Sequence, residues 1–557
     1  MEVPITGVKF KIFVKMPKIS RWGISTRPQW AALGIWGVAL SAALAGDEKD
    51  PQEEGDRYLT LQGAIQAALE NNTDVKIEQI NEGIAFDRIA LAASIFDPEL
   101  RGSYRYENID RPQNRQDLVA TGGGDLLLDE PRIFEERNHR FDSGIGKKTP
   151  WGTDLELGTT WSRLDNTLNR EMPPSLYSPE YTTFTGLTMT QPLLRDFGPN
   201  VNLTSIHIAR TEAEIASFNW MGQVQATVGG VVKRYVDLAA AYRSLGVRDE
   251  AIELARKLVE DNRARREQGQ MTDVDVQEAE VAVSIRQEER IAAETDYVER
   301  LNALRVLINP VENPTKGGRI VPTTPFSTWV PDLEREELMA MAKDNRDDYE
   351  VARLELEREE SRVEYALNQK KPRLDLQASV GSYGLDGDFD GTYRNSFDGQ
   401  GPEWSVGFQV SIPLGNRQAR QQLAIARKQA EQARLKEARL DLVVALELDT
   451  VLTRIETASQ RLKTARKTSE LSQSFLESES QRMKEGKSTS FQVLEKQTDL
   501  SASRTRELIA AADLQKAIVD LWVVTGTVLD QYNVAVGDRE GIADKDGYVP
   551  LEVTVEK

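Results

Sequence analysis

Residues 444–465 read VALELDTVLTRIETASQRLKTA. Here Val444, Leu448, Val451, Ile455, Ala458, Leu462 and Ala465 follow one another at spacings of 4, 3, 4, 3, 4 and 3. Sustained 4-3 spacing is the seam of a left-handed coiled coil. The stretch sits inside a longer one, Asn416 to Thr525, which holds 110 residues with one glycine, Gly486, and no proline. Such a run has helix breakers at one point only. It predicts two helices, 416–485 and 487–525, folded back at Gly486. The first arm would be roughly 105 Å long at ~1.5 Å per residue, and a helix of that length needs a partner along it. Read alone, the stretch also fits a free structural coiled coil.

Composition narrows the function. The chain has 557 residues, a formal net charge of −19 and a pI of about 4.9, the wrong balance for nucleic acid, which wants a basic patch. There are no cysteines, so no disulfide, thiolate metal site or catalytic thiol. The two histidines, His139 and His207, stand far apart. A histidine-based catalytic or zinc constellation is therefore not expected, and the chain reads as a non-enzyme without cofactor or metal.

The first 45 residues differ from the rest. Lys9, Lys11, Lys15, Lys18, Arg21 and Arg27 precede the apolar run Trp30–Ala45, which ends in the small-x-small pattern Ala43-Leu44-Ala45. Residues 1–45 read as a secretory signal peptide, followed by an acidic, flexible segment at 46–58. No other run is long enough to span a bilayer as a helix. Export without cysteine suits the periplasm or outer membrane.

From Leu59 a helical pattern runs to Phe96 and ends at Asp97-Pro98, because a residue before proline is pushed out of the α region. The period then changes from 3.6 to 2. Strands are expected at Leu100 and Ser103–Tyr106, at Phe141–Lys148 and Gly152–Ser162 as a hairpin, and at Tyr181–Gln191, ended by Pro192. A glycine-rich loop surrounds Gly122–Gly124. Residues 201–309 form a helical hairpin broken at Gly269, and 310–332 a proline-rich connector. Then comes a helix over Leu333–Asn368, ended at Pro372, with strands at Leu374–Gly381 and Trp404–Ile412. Pro413 leads into the long hairpin, and 531–557 is an acidic tail.

The order repeats. Pro98 and Pro372 lie 274 apart at helix-to-strand junctions, and the same offset pairs Ala68 with Ala342 and Leu100 with Leu374. Pro192 and Pro413 mark the strand-to-helix junctions. Gly269 and Gly486 lie 217 apart, an offset shared by Val231 with Leu448, Leu238 with Ile455 and Leu245 with Leu462. Residues 59–309 and 333–530 therefore read as two copies of helix, strands, long helix, turn and helix. In the last strand Trp404, Val406, Phe408, Val410 and Ile412 point one way and Ser405, Gly407, Gln409 and Ser411 the other. Apolar-out and polar-in alternation suits a transmembrane barrel strand. Few strands per chain mean that closure must come from oligomerisation, since an open edge is not tolerated in lipid. The fold class is thus an α+β membrane protein: a long α-helical coiled-coil barrel plus transmembrane β-barrel strands, in two internal repeats, closed by trimerisation.

The chain resembles the TolC-like outer-membrane efflux protein family. The residues that carry this are LTLQGAIQAALENNTDVKIEQ near the start, the two proline junctions, QPLLRDFG, IPLG, and the tip motifs EQGQMTDVDVQEAE and KEGKSTSFQVLEKQ. The resemblance spans about 59–530. It implies a homotrimeric, passive exit duct of tripartite efflux or type I secretion. A periplasmic adaptor (membrane fusion protein) and an inner-membrane pump of RND, ABC or MFS type would be the partners, with outer-membrane lipid around the barrel. The alternative is a periplasmic structural or adaptor-like coiled coil without channel activity. The first copy has room for four strands where the family usually has two; the extra hairpin at 141–162 either enlarges the barrel or extends it outside, and the extension is the favoured reading.

The resemblance also implies site residues. Acidic side chains six and nine positions after each tip glycine would form pore rings, here Asp275 and Glu278, and Gln492 and Glu495, with Gln492 replacing an acid. The turns Gly269–Thr272 and Gly486–Ser490 would dock the adaptor. The basic residues Arg263, Arg265, Arg266, Arg482, Lys484 and Lys487 cluster near the tips, placed to pair with acids of neighbouring helices and hold a closed state.

Overall fold

The computed structural model describes residues 56–114, 132–170, 175–310, 313, 318–327, 329–330, 334–398, 401–536 and the backbone of 553–555. The expected signal peptide, most of the 46–58 segment, the Gly122–Gly124 loop and parts of the connector and tail lie outside the described residues.

In chain order the elements are β1 (Arg57–Leu59), α1 (Leu61–Asn71), α2 (Thr73–Ala93), β2 (Glu99–Gln113), β3 (Arg132–Lys148), β4 (Asp154–Asn166) and β5 (Glu180–Pro192). Then come α3 (Thr204–Glu267), α4 (Asp273–Ile308), β6 (Ile320–Pro322), α5 (Arg335–Asn345), α6 (Asp347–Gln369), β7 (Arg373–Asp386), α7 (Phe389–Phe397), β8 (Gly401–Ser411), α8 (Arg417–Lys484) and α9 (Ser490–Val524). Three four-residue turns of helix, one three-residue 3-10 turn and a short antiparallel pair near the end, Val534–Val536 with Val553–Val555, complete the set among the described residues. That pair lies in the acidic tail. Element boundaries keep the sequence offsets: α5 begins 274 residues after α1, and α9 begins 217 after α4.

The seam behaves as the spacing predicts. Val444, Leu448, Val451, Ile455, Ala458 and Leu462 are all buried, and the last five pack in one core with Ala510, Leu514, Ala517, Ile518 and Leu521 of α9. Cross-helix ion pairs flank the seam: Arg454 with Asp520 at 3.4 Å and Arg461 with Asp513 at 3.5 Å. On its other side α9 meets α3 through Lys233 and Asp520 at 2.7 Å and Lys516 and Asp237 at 2.9 Å. Gly229 in α3 allows this approach, because a Cβ there would come within 2.7 Å of Val523. Despite Gly222, Gly229 and Gly230, α3 runs unbroken.

Where α1, α5 and the ends of the long helices meet, the same core holds Ile65, Trp220, Tyr235 and Trp522. Trp220 is 1% exposed and its indole N–H has no hydrogen-bond partner. Its contribution is therefore packing. Trp220→Ala should cost about 3–5 kcal/mol and Trp220→Phe much less, read as loss of helical circular dichroism on heating or in denaturant.

Three local expectations are corrected. The pattern from Leu59 to Phe96 is not one helix: Leu59 ends β1, and Asn72, with φ −61° and ψ 126°, separates α1 from α2. Its side chain accepts from the Asp74 and Val75 N–H groups, so it starts a new helix. Next, the connector is not bare: β6 pairs parallel with β1. The Tyr235 hydroxyl donates to Leu59 O at 2.8 Å and accepts from Thr323 N at 3.1 Å, fastening both segments to α3. Last, the hairpin read as an extension is laid into the sheet. The six strands run in the order β2-β3-β4-β5-β7-β8, every pair antiparallel. The hairpin turn explains this, because it docks on the β5–α3 junction. Trp151 O accepts from Gly198 N at 3.2 Å and from Gln191 Nε2 at 3.4 Å. Gly152, at φ 89°, lies so close to Asp196 O that a side chain there would collide.

Candidate functional site: a two-faced sheet and a helical tip

Directly paired residues of a sheet share a face, and successive residues alternate. The register therefore sorts the six strands into two surfaces. On one, Leu100, Ile145, Leu157, Leu187, Val380 and Trp404 form a continuous paired row across all six strands. Each of these six is exposed, between 41% and 78%, so no other part of the chain among the described residues covers the row. Val406, Phe408 and Val410 extend the same surface along β8.

The rung beside it faces the other way. Arg101, Gly144, Gly158, Gly186, Gly381 and Glu403 pair in that order across the same strands. Four adjacent glycines leave this surface free of side chains along one line, where strands can bend towards it. The Phe184 ring lies over Gly186 and Gly381, so closely that a Cβ at either would collide with it. Around the glycines the surface is polar. Asp142 accepts from Ser103 at 3.1 Å and Thr160 at 2.9 Å, Gln377 donates to Gln409 at 2.7 Å, and the Ser379 and Ser405 hydroxyls lie 2.8 Å apart. One surface is thus apolar and the other polar, and the edges β2 and β8 have no strand beyond them among the described residues.

At the opposite ends of the long helices are two matched turns. Gly269 and Gly486 adopt φ of 74° and 73°, the left-handed region that favours glycine. Gln270 N donates to Arg265 O at 2.9 Å and Lys487 N to Arg482 O at 2.8 Å, closing each helix with the same C-terminal motif. Thr272 and Thr489 then cap α4 and α9, each in a reciprocal capping box.

These boxes engage two of the expected ring residues. Asp275 is the third residue of α4, and its carboxylate accepts from the Thr272 hydroxyl at 2.7 Å and backbone N–H at 2.8 Å. The two bonds hold its carboxyl below the ordinary value of 3.8. Gln492 holds the same place in α9, accepting from Thr489 N at 3.3 Å and Ser488 Oγ at 2.7 Å. An acid and an amide thus serve one local purpose at equivalent positions. Glu278 and Glu495 are exposed one turn further on, Glu495 lying 3.6 Å from Lys496. A depressed carboxyl contributes stability above its unfolded pKa and loses it as pH falls through its folded value. Acidification below about 3.8 should therefore lower protection against hydrogen exchange more at 273–276 than at 490–493, where the capping glutamine does not titrate. Equal change at both would contradict the assignment.

The tips also touch one another, which the sequence did not show. Asn262 in α3 is fully buried. Its amide donates to Asp275 O at 3.0 Å and to Ser490 Oγ at 2.7 Å, joining α3, α4 and α9. Arg265 donates to Met483 O at 2.9 Å, from the first hairpin to the second. Leu258, Leu476, Met483, Val493 and Leu500 form a small core beside them. Ser490, placed by the sequence on a docking surface, is turned into this contact and is 1% exposed. Gly269, Thr272 and Gly486 remain exposed. Among the basic residues Arg263 pairs with Glu280 at 2.6 Å and Arg266 with Asp273 at 3.3 Å, both on the return arm of their own hairpin. Arg482 pairs with Glu479 at 3.1 Å and Lys487 with Glu485 at 2.9 Å.

Pro98 and Pro372 stand one residue before β2 and β7, Pro192 ends β5, and Pro413 follows β8, so all four mark the change between helix and sheet. Among the described residues no helix is long and apolar enough to cross a membrane, and no acid or histidine cluster suits a metal ion.

A family model described as outer membrane efflux protein matches residues 152–310 and 338–527. The chain belongs to the outer membrane efflux protein family. Solved structures of similar fold include the outer-membrane channel CmeC of Campylobacter jejuni, at 15% identity and a TM-score of 0.57 over 84% of this chain and 85% of that one. The outer-membrane channel OprN matches at 15% identity and 0.60, over 84% and 90%. The open state of the MtrE outer-membrane channel of Neisseria gonorrhoeae matches at 16% and 0.58, over 84% and 89%. At these identities the likeness is one of fold. No curated protein matches. The family is one of outer-membrane transport proteins.

Proposed function

We propose that three copies of this chain close one barrel in the outer membrane and one helical tunnel below it, a passive exit duct for an export system. The observation that carries this is the six-stranded sheet with an uncovered apolar row, a polar opposite face and two unpaired edges. Every strand of this sheet has at least 11 residues, enough for the 9–11 that a tilted crossing needs. β2 and β8 run in opposite directions, so β2 of one copy can pair antiparallel with β8 of the next. Three sheets of six give eighteen strands, a size that leaves an aqueous channel. The inserted β3–β4 hairpin thus widens the barrel beyond the family pattern.

The equal offsets of helix boundaries support two internal repeats, each supplying one long hairpin to the tunnel. A second apolar stripe on α8, Leu435, Leu442 and Leu446, is exposed in the single chain and suits a neighbouring copy. At the tip, the hairpin contact through Asn262 and Arg265 holds the closed state. Glu278 and Glu495 are placed to ring the opening, Asp275 and Gln492 support them as caps, and the exposed Gly269–Thr272 and Gly486 turns meet the adaptor. The adaptor and an inner-membrane pump supply the drive, and residues 1–45 direct export. A structural coiled coil without channel activity would leave the apolar row of the sheet in water.

The test is the purified protein in detergent and in planar bilayers. Trimer mass with ion conductance is expected. A water-soluble monomer without conductance would remove the proposal.

A further inference from the structure

The apolar surface of the sheet has an aromatic row where the outward faces of β2, β3 and β4 pass from apolar to polar, with Leu100, Ile145 and Leu157 on the long-helix side of it and Asn108, Arg137 and Asp165 beyond it. Tyr104, Phe141 and Trp161 pair in order across β2, β3 and β4. The same row continues into β5 and β7 as Thr183 and Gly384, where the aromatics stop. At that gap lies α7. Its Thr392 and Ser396 are buried against the sheet, Thr183 is 1% exposed beneath it, and the Thr392 hydroxyl donates to Tyr181 O at 3.2 Å. Gly384 admits the helix, because a Cβ there would collide with the Thr392 backbone.

The helix restores what the strands lack. Phe389, Tyr393 and Phe397 recur at four-residue spacing along one side and are 55%, 44% and 62% exposed. Phe389 meets Trp161 edge-on at 5.4 Å between ring centroids, so this side continues the aromatic row. Asp390 and Arg394 pair with each other one position further round the helix. Aromatic side chains of this kind gather where a bilayer meets water, and transmembrane barrels carry them as girdles.

We infer that α7 is a membrane-interface helix, strapped over the outward face of β5 and β7, which sets Phe389, Tyr393 and Phe397 into the headgroup region of the outer leaflet. It carries the aromatic girdle on across β5 and β7, whose own residues in this row, Thr183 and Gly384, are not aromatic. The inference rests on the barrel reading, and the experiment separates the two. The chain has no native cysteine, so a single introduced thiol carries an environment-sensitive dye without competition. Phe397→Cys, Val406→Cys and Ser379→Cys are labelled in the full chain and reconstituted into liposomes containing spin-labelled lipid, with aqueous iodide as the second quencher. The Val406 label should lose most of its emission to chain-labelled lipid, the Phe397 label to headgroup-labelled lipid, and the Ser379 label to iodide alone. A Phe397 label reached only by iodide, or shielded from both quenchers as by a bound protein, overturns the role of α7 while the barrel stands. A Val406 label untouched by lipid overturns both.

Discussion

Val406→Arg should abolish assembly in the membrane, while Ser405→Arg, its neighbour in sequence, should leave assembly nearly intact. Val406 lies on the apolar surface, paired with Ala378, and is 61% exposed. Ser405 faces the polar surface, 2.8 Å from Ser379. An arginine on the lipid side of a barrel costs about 2–4 kcal/mol near mid-membrane and little on the lumen side. Three symmetric copies multiply that cost within one assembly. The readout is the fraction of heat-resistant oligomer recovered from outer membranes. Similar recovery for both variants would mean that the register-sorted faces are not a lipid face and a lumen face.

The second large effect is expected at the tip. Asn262→Ala combined with Arg265→Ala removes the donors to Asp275 O, Ser490 Oγ and Met483 O. Buried hydrogen bonds contribute about 0.5–1.5 kcal/mol each, and more when one partner is charged. Two of the three bonds, to Ser490 Oγ and Met483 O, cross between the hairpins, and with one charged donor a loss of about 2–4 kcal/mol is the reasonable scale. Since ~1.4 kcal/mol is tenfold in an equilibrium, the open fraction should rise at least tenfold. It is measured as single-channel conductance in planar bilayers. Arg263→Ala is the control, because its exposed pair with Glu280 stays within one hairpin. Exposed pairs contribute only ~0–1 kcal/mol. A double variant that conducts like the parent would take the closed state away from this contact.

These two sites differ in how far the sequence disclosed them. The alternation around Val406 was legible because β8 keeps strict period 2 from Trp404 to Ile412. The coiled-coil seam was legible for the same reason, at period 3.5. The upper halves of β2 and β3 were not, since residues such as Glu107, Asn108, Arg137 and Asn138 are polar on both faces. The glycine row needed register: Gly144, Gly158, Gly186 and Gly381 look like scattered strand glycines until pairing aligns them. The helix α7 was missed because FDGTYRNSF carries a glycine and few strong helix formers. Its support comes from the sheet beneath it.

The tip shows a different limit. The patterns Thr272-x-x-Asp275 and Thr489-x-x-Gln492 were readable as capping boxes from spacing alone. The resemblance assigns Asp275 and Gln492 to pore rings instead. Asn262 carried no signal, since one asparagine in a charged helix looks exposed, and only the packing of two hairpins makes it buried.

The central claim is that β2 and β8, the outer strands of one chain's sheet, are neighbours between chains. Cysteines placed pairwise at Gly102, Tyr104 or Tyr106 and at Val406, Phe408 or Val410 test it directly in a chain with no native thiol. All six positions are on the outward face. A disulfide requires Cα atoms within about 7 Å, so only true strand neighbours will link. Mild oxidation in outer membranes should yield a dimer and trimer ladder for the pairs in register. No ladder at any pair, or only an intrachain link in a monomer, would contradict the closed three-chain barrel.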